Sequence, residues 1–325
     1  MTHDKPVPER GPEARPNVHE AARPADADRH NFFEAIAPAW FLPYGQLARF
    51  DRPIGAWLLL FPCWWSQSLA EIQLDHAYPN LWFWLLFLVG AFVMRGAGCA
   101  YNDFIDRDID RHVARTAGRP IPSGRVSPTA ALVLAAALST IGLVVLLQFN
   151  TFTIWLGIAS LALVAVYPFA KRFTNWPQLV LGLTFKWGAL VGFAATAGTL
   201  GWPAALLYIG CIAWTVGYDT IYAHQDRTDD SVISIKSTAR LFDERTHAAL
   251  TALYAIAIVF WTAAAIAAGA GWPTYTGLFA VMLHFIWQGS TPDIMDGANY
   301  LERFKSNRIV GWLFLTGMFV DIVFA

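Results

Sequence analysis

Asn102, Asp103, Asp106, Asp108 and Asp110 crowd one short stretch of this chain, and Asp226, Asp229 and Asp230 crowd another. Each stretch directly follows a long apolar run. Neighbouring carboxylates repel one another and lose hydration there, so they call for a counter-charge. Hard oxygen donors suit Mg²⁺, which keeps several waters and fills its octahedron with substrate phosphate oxygens. If the apolar run before the first cluster continues into it as helix, Asn102, Asp106 and Asp110 share one face. Arg95, seven residues before Asn102, lies on the same stripe about two turns deeper. Asp219, Tyr222, Asp226 and Asp230 are spaced 3, 4 and 4, again one helix face. Two such stripes facing each other could hold one or two Mg²⁺ bridged by phosphate oxygens. Asp103 and Asp229 point about 60–100° away from the stripes at the helical period, which suits supporting or capping roles. Asp108 reads either as a ligand or as a solvated charge. One acidic triplet is a weak signal; two, both abutting apolar spans, are far more specific.

The elements that must position these groups are membrane helices. Of 325 residues, 56% are hydrophobic and only 14% charged, against about 25% charged in ordinary soluble domains. Apolar runs long enough to cross a bilayer fall at roughly 54–70, 81–101, 129–148, 152–170, 178–198, 204–223, 247–269, 274–291 and 309–325. The expected fold is therefore all-α: nine transmembrane helices, with helical loops on the cytoplasmic side capping a central cavity. Loops holding Arg107, Arg111, Arg115, Arg119 and Arg125, then Lys171 and Arg172, then Arg227, Lys236, Arg240 and Arg245, then Arg303, Lys305 and Arg308 alternate with loops that carry no Lys or Arg. By the positive-inside rule both acidic clusters and the N-terminus are cytoplasmic and the C-terminus periplasmic. Residues 1–43 form a polar extension, disordered at first, then a possible interfacial helix with Phe32, Phe33, Ile36, Trp40 and Phe41; residues 44–325 form the membrane domain. The acidic content of the leader argues against a transit peptide, and the expected location is a bacterial inner membrane. Cys63, Cys99 and Cys211 fall in apolar stretches without pair or metal spacing. A net charge of −1 says nothing about partners, because the charges are segregated along the chain; the expected partners are two substrates and the bilayer, with no nucleic acid and no protein partner inferred.

The run NDFIDRDID followed by RHVARTAGRPIPSG, then YPFAKR at 167–172 and DTIYAHQDRTDD at 219–230, resembles the intramembrane aromatic prenyltransferase family. The resemblance is greatest to its bacterial 4-hydroxybenzoate polyprenyltransferases, and extends to RFDRPIG at 49–55 and RFKSNR at 303–308. It covers the chain from about residue 44 onward. It implies that Asn102, Asp106 and Asp110 match an NDxxDxxxD motif and Asp226 and Asp230 a DxxxD motif, both binding Mg²⁺ and diphosphate. Tyr167 and Lys171 match a YxxxK element whose lysine meets diphosphate, and Arg119 is similarly placed. The implied reaction joins a polyprenyl chain from its allylic diphosphate to the ring carbon ortho to the hydroxyl of 4-hydroxybenzoate, in ubiquinone synthesis. Asp106, Asp226, Lys171 and Arg119 are then the catalytic candidates.

Other expectations come from the residues. A carboxylated acceptor needs a cation, and Arg95 is the first candidate, Arg52 the second. Arg95 could instead neutralise Asp106. Asp219, Tyr222 and Tyr167 complete the candidate substrate contacts, and Tyr222, Tyr101 and Phe104 are candidate aromatic faces for a carbocation. Lys186 sits mid-span, where the resemblance gives it no role; it must face the cavity or a carboxylate, or else snorkel or lose its charge. Asp321 could snorkel to the membrane surface, and His224 and His284 read as packed or hydrogen-bonded. Another aromatic acceptor (homogentisate, a naphthoate or haem) fits the same motifs. A transporter would spread its charges through the membrane depth, whereas here they gather at one face.

Overall fold

The computed structural model describes residues 31–112, 116–170, 174–224, 238–242, 245–290 and 297–324, the side chains at 240, 297 and 298 excepted. Among the described residues every regular element is helical. Two short helices, α1 (Phe32–Ile36) and α2 (Leu42–Leu47), lead in. The long helices follow: α3 (Ile54–Gln73), α4 (Leu81–Asp110), α5 (Pro128–Leu146) and α6 (Thr151–Val166), the last ending in a 3₁₀ turn at Tyr167–Phe169. Then come α7 (Pro177–Phe185), α8 (Gly188–Ala197), α9 (Trp202–Ala223), the short α10 (Thr238–Phe242), α11 (Thr246–Ala268), α12 (Trp272–Ser290) and α13 (Gly297–Phe324).

Local chemistry explains the boundaries. Asn80, Ser127 and Asn150 cap α4, α5 and α6 with side-chain oxygens that accept from backbone N–H groups of the first turn. Pro128, Pro177, Pro203 and Pro273 occupy first-turn positions where a missing N–H costs nothing. Glu71, fully buried, accepts from the Gln67 amide and from Asn80 N, both at 2.8 Å, tying the end of α3 to the start of α4.

Among the described residues, seven segments are long and apolar enough to cross a membrane: Leu81–Asp110, Pro128–Leu146, Thr151–Phe169, Pro177–Ala197, Trp202–Ala223, Thr246–Ala268 and Asn299–Phe324. The expected first and eighth spans are helical as α3 and α12 but are not among the seven, for Ser66, Gln67, Ser68 and Glu71 sit in one and His284 and Gln288 in the other. All four of the α3 residues are buried, as is Gln288, so the polar groups turn inward rather than toward lipid.

α3 lies at the centre and packs against α4, α8, α9, α11 and α13. Trp65 on α3 contacts Trp214 on α9 and Trp261 on α11, with ring centroids 5.3 and 4.9 Å apart. Their polar edges are partly matched: Trp65 Nε1 donates to Gly311 O and Trp214 Nε1 to Asn307 Oδ1. Close approach of α8 to α3 depends on Gly192, where an added Cβ would stand 2.2 Å from Cys63 O. Such small-residue contacts drive helix association where lipid offers no hydrophobic contrast.

Two expectations are corrected. The fifth apolar run is not one straight helix: α7 ends at Phe185, Lys186 and Trp187 form the break, and α8 resumes at Gly188. Asp321 does not snorkel. It is buried and accepts from Gly271 N at 2.8 Å and from the Thr274 hydroxyl, capping the start of α12.

Candidate active site

The first acidic cluster is helical throughout, because nothing from Ala100 to Asp110 interrupts α4. The helix stops where the Thr116 hydroxyl takes up Asp110 O at 2.9 Å. Asn102 Nδ2 donates to Asp106 Oδ2, one turn on, at 3.1 Å. Asp103, Asp106 and Asp110 are all buried. Asp103 and Asp110, two turns apart, share one guanidinium: Arg119 Nη1 lies 3.2 Å from Asp103 Oδ1 and 2.8 Å from Asp110 Oδ2.

The loop after α4 places Arg119. Ile121 and Val126 are buried with Leu47, Ala100 and Ala131, folding the loop back on α4. Val126 N donates to Pro120 O, and Gly124 takes the left-handed conformation, φ 77°, that the turn requires. Arg125 braces this loop through Gln46 Oε1 and Gly118 O, both at 2.7 Å.

Arg49 is a site residue that sequence reasoning missed. Its Nη2 grips both oxygens of Asp103, at 2.9 and 2.8 Å, and its Nη1 donates to Gln46 O. Its φ is +62°, a left-handed conformation that costs a side-chain-bearing residue roughly 1–2 kcal/mol. The charge-assisted bonds to Asp103 offset that strain. The available signal was the position of Arg49 at the head of the RFDRPIG stretch.

Deeper on α4, Arg95 lies in a notch of α3. A Cβ on Gly55 would come within 2.5 Å of Arg95 Nε. On its other side the guanidinium carbon is 5.1 Å from the centroid of the Phe185 ring. Arg95 Nε is buried and meets no hydrogen-bond partner among the described residues. Phe185 also meets Tyr167 edge-on at 5.9 Å. Tyr167 lies in the electrostatic field of Asp219, Arg95 and Asp106 at once, so α4, α9 and the end of α6 converge. Tyr222, one turn beyond Asp219, packs on Phe304 with centroids 4.8 Å apart. Arg52 is buried, its Nε 3.5 Å from Asp51 Oδ1. Phe104 turns toward the Ile121 cluster and carries Arg107 on its face at 4.7 Å, away from the stripe. His224 stacks on Tyr300 and reaches Thr246 Oγ1, and His284 reaches Ser306 Oγ.

Lys171, Asp226 and Asp230 lie outside the described residues, as does Asp229. Among the described residues no group of three or more His, Cys, Asp or Glu side chains could hold a metal ion. The α4 donors nevertheless suit a hard cation: Asn102 and Asp106 offer only amide and carboxylate oxygen, side by side. As placed here, Asp110 is engaged by Arg119.

The family model described as the UbiA prenyltransferase family matches residues 59–308. The chain belongs to the UbiA prenyltransferase family. It is 43% identical to a protein of Bos taurus named 4-hydroxybenzoate polyprenyltransferase, mitochondrial, over 97% of this chain and 82% of that one. A protein of the same name from Aedes aegypti is also 43% identical, over 87% of this chain, which spans 64% of the mosquito protein's length. Among solved structures, the apo form of a UbiA homologue from Aeropyrum pernix K1 superposes with a TM-score of 0.68 at 28% identity, covering 81% of this chain and 97% of that one. A UbiA homologue from Archaeoglobus fulgidus, solved with GPP and Mg²⁺ bound, shares the fold at a TM-score of 0.57 and 17% identity, over 87% and 100% of the two chains. Both curated relatives are named mitochondrial, which overturns the expectation of a bacterial inner membrane. That expectation rested on the acidic leader of this UbiA-family chain, and leader composition says little about where a membrane domain resides.

Proposed function

We propose that this UbiA-family enzyme transfers a polyprenyl chain from an allylic diphosphate to 4-hydroxybenzoate, at the ring carbon ortho to the hydroxyl, for ubiquinone synthesis. The observation that carries the reading is a pairing on one face of α4. Asn102 and Asp106 stand as oxygen donors near its end, and two turns deeper Arg95 offers a buried Nε without a partner. The first pair suits a metal-bound diphosphate; the second suits a carboxylate on an apolar ring. The names of the 43%-identical relatives support the same acceptor.

Asn102, Asp106 and Asp110 would hold Mg²⁺ together with Asp226 and Asp230. Bound there, the metal would neutralise the diphosphate and make it a better leaving group. Arg119 and Lys171 would meet the charge that builds on the departing oxygens. The allylic centre left behind gains from aromatic faces, with Tyr222, Tyr101 and Tyr167 as candidates. Arg95 would orient the acceptor carboxylate, with Arg52 as a second cation and Asp219 facing Tyr167. Ring attack and loss of the ring proton then complete the transfer, with no covalent enzyme intermediate. The chain of the donor runs into lipid, since each CH₂ kept from water is worth about 0.8 kcal/mol.

We also place α3 and α12 in the membrane, giving nine crossings with α7 and α8 counted as one. Only then do Arg-rich loops alternate regularly with bare ones, as charge segregation requires. The loops on the acidic side would cap the cavity, with residues 44–325 as the catalytic domain and 1–43 as an extension. The test is membranes containing the protein, Mg²⁺, a polyprenyl diphosphate and a panel of aromatic acceptors, read by product mass. A prenylated 4-hydroxybenzoate is expected. Product only with homogentisate, a naphthoate or haem would overturn the acceptor, and none with any would overturn the reaction.

A further inference from the structure

Lys186 is fully buried, and among the described residues its nitrogen meets a backbone carbonyl and aromatic faces rather than a carboxylate. Its Nζ donates to Leu58 O at 2.7 Å. The same nitrogen lies 4.3 Å from the centroid of the Trp214 ring and 5.1 Å from that of Tyr218. Leu58 is an unusual acceptor for a reason written in the sequence. Four residues later in α3 stands Pro62, which has no N–H to give to the Leu58 carbonyl. In a membrane such a carbonyl must find another donor, because water is absent. Lys186 supplies it from another helix.

The consequence reaches the site. Lys186 stands at the break between α7 and α8, and its neighbour Phe185 is the ring against which the Arg95 guanidinium rests. Gly55, three residues before Leu58 on α3, forms the other wall around Arg95. Arg95 is therefore held between two surfaces that the bond from Lys186 to Leu58 fixes together with the packing of Gly188 and Gly192 on Cys63. We propose that Lys186 is a positioning residue: by filling the donor gap left by Pro62 it locks the break in the fifth span to α3, and so sets Phe185 against Arg95 for the aromatic acid. This rests on the acceptor reading of Arg95 given above.

The test is a double-mutant comparison of Lys186→Met, Pro62→Ala and the combined variant, each assayed for thermal unfolding in detergent and for KM of both substrates. Lys186→Met should lower the unfolding temperature and raise KM for 4-hydroxybenzoate about tenfold, with KM for the prenyl diphosphate nearly unchanged. In the combined variant, Pro62→Ala restores a backbone N–H that can reach Leu58 O, so the unfolding temperature should recover while KM for the aromatic acid stays high. Recovery of both would reduce Lys186 to a carbonyl partner and overturn the proposal. So would an unchanged KM in Lys186→Met. If that single variant does not fold, the combined one carries the same decision. Wild-type protein inactive toward 4-hydroxybenzoate would instead refute the acceptor reading, while the unfolding data would still report the coupling of Lys186 to Pro62.

Discussion

Arg119 binds Asp110 by a 2.8 Å hydrogen bond, although the resemblance assigns one to diphosphate and the other to metal. Each neutralises the other. A diphosphate that engages Arg119 would free the Asp110 carboxylate for Mg²⁺, so the two roles become linked through one exchange of partners. Arg119→Gln should accordingly lower kcat/KM for the prenyl diphosphate by about 10²–10³. Its KM for the aromatic acid should hold, and the Mg²⁺ concentration for half-maximal rate should move. Steady-state kinetics at varied Mg²⁺ would check this, and an unchanged Mg²⁺ response would separate the two roles.

Asp103 and Asp106 are near neighbours with opposite expected phenotypes. Asp103 is locked to Arg49 and Arg119, so Asp103→Asn takes from Arg49 the buried carboxylate it grips and leaves Arg119 with Asp110 alone. The expected loss is about 3 kcal/mol of stability, read as a lower unfolding temperature. Asp106→Asn should fold normally and lose turnover. A stable, inactive Asp103→Asn would reverse the assignment.

Arg95→Ala should raise KM for 4-hydroxybenzoate at least about tenfold and leave KM for the prenyl diphosphate within about twofold, because only the acceptor loses a partner. Equal effects on both substrates would show that Arg95 serves the α4 stripe as a whole. The measurement is a paired titration of each substrate at saturation of the other.

Asp321→Ala removes the acceptor for Gly271 N and the Thr274 hydroxyl at the head of α12. The expected cost is about 1–2 kcal/mol of stability, as for other lost N-terminal caps. Activity per folded molecule should not change, since this cap lies at the end of α13 opposite Arg303. A reduced kcat in fully folded protein would contradict that.

The helix that carries the first acidic cluster could be read from spacing alone. The 4-residue steps through Asn102, Asp106 and Asp110 anticipated a continuous helix, and α4 runs unbroken to Asp110. The break at Lys186 was hidden, because the apolar run around it holds no proline and Gly188, which opens α8, is only one of several glycines along it; the lysine was the plainer anomaly. Arg49 was also hidden. Its partner lies 54 positions away, and a left-handed arginine has no local signature. Asp321 was misjudged for a related reason: its donors, Gly271 and Thr274, come from another helix, and pattern along one helix cannot show them. Inward-facing polar groups lower the mean hydropathy of α3 and α12, which is why neither is among the seven apolar segments.

The length of α4 has a bearing on how the enzyme meets its oily reagent. Thirty residues make a rod about 45 Å long, while the hydrocarbon slab is about 30 Å thick. With its apolar part in the bilayer, that overshoot would let the acid-bearing end stand among headgroups while the remainder is steeped in acyl chains. A polyprenyl pyrophosphate already floats with its anionic end at that level and its tail below. It can therefore reach the carboxylates by drifting sideways in two dimensions, without ever being lifted out of the lipid sheet.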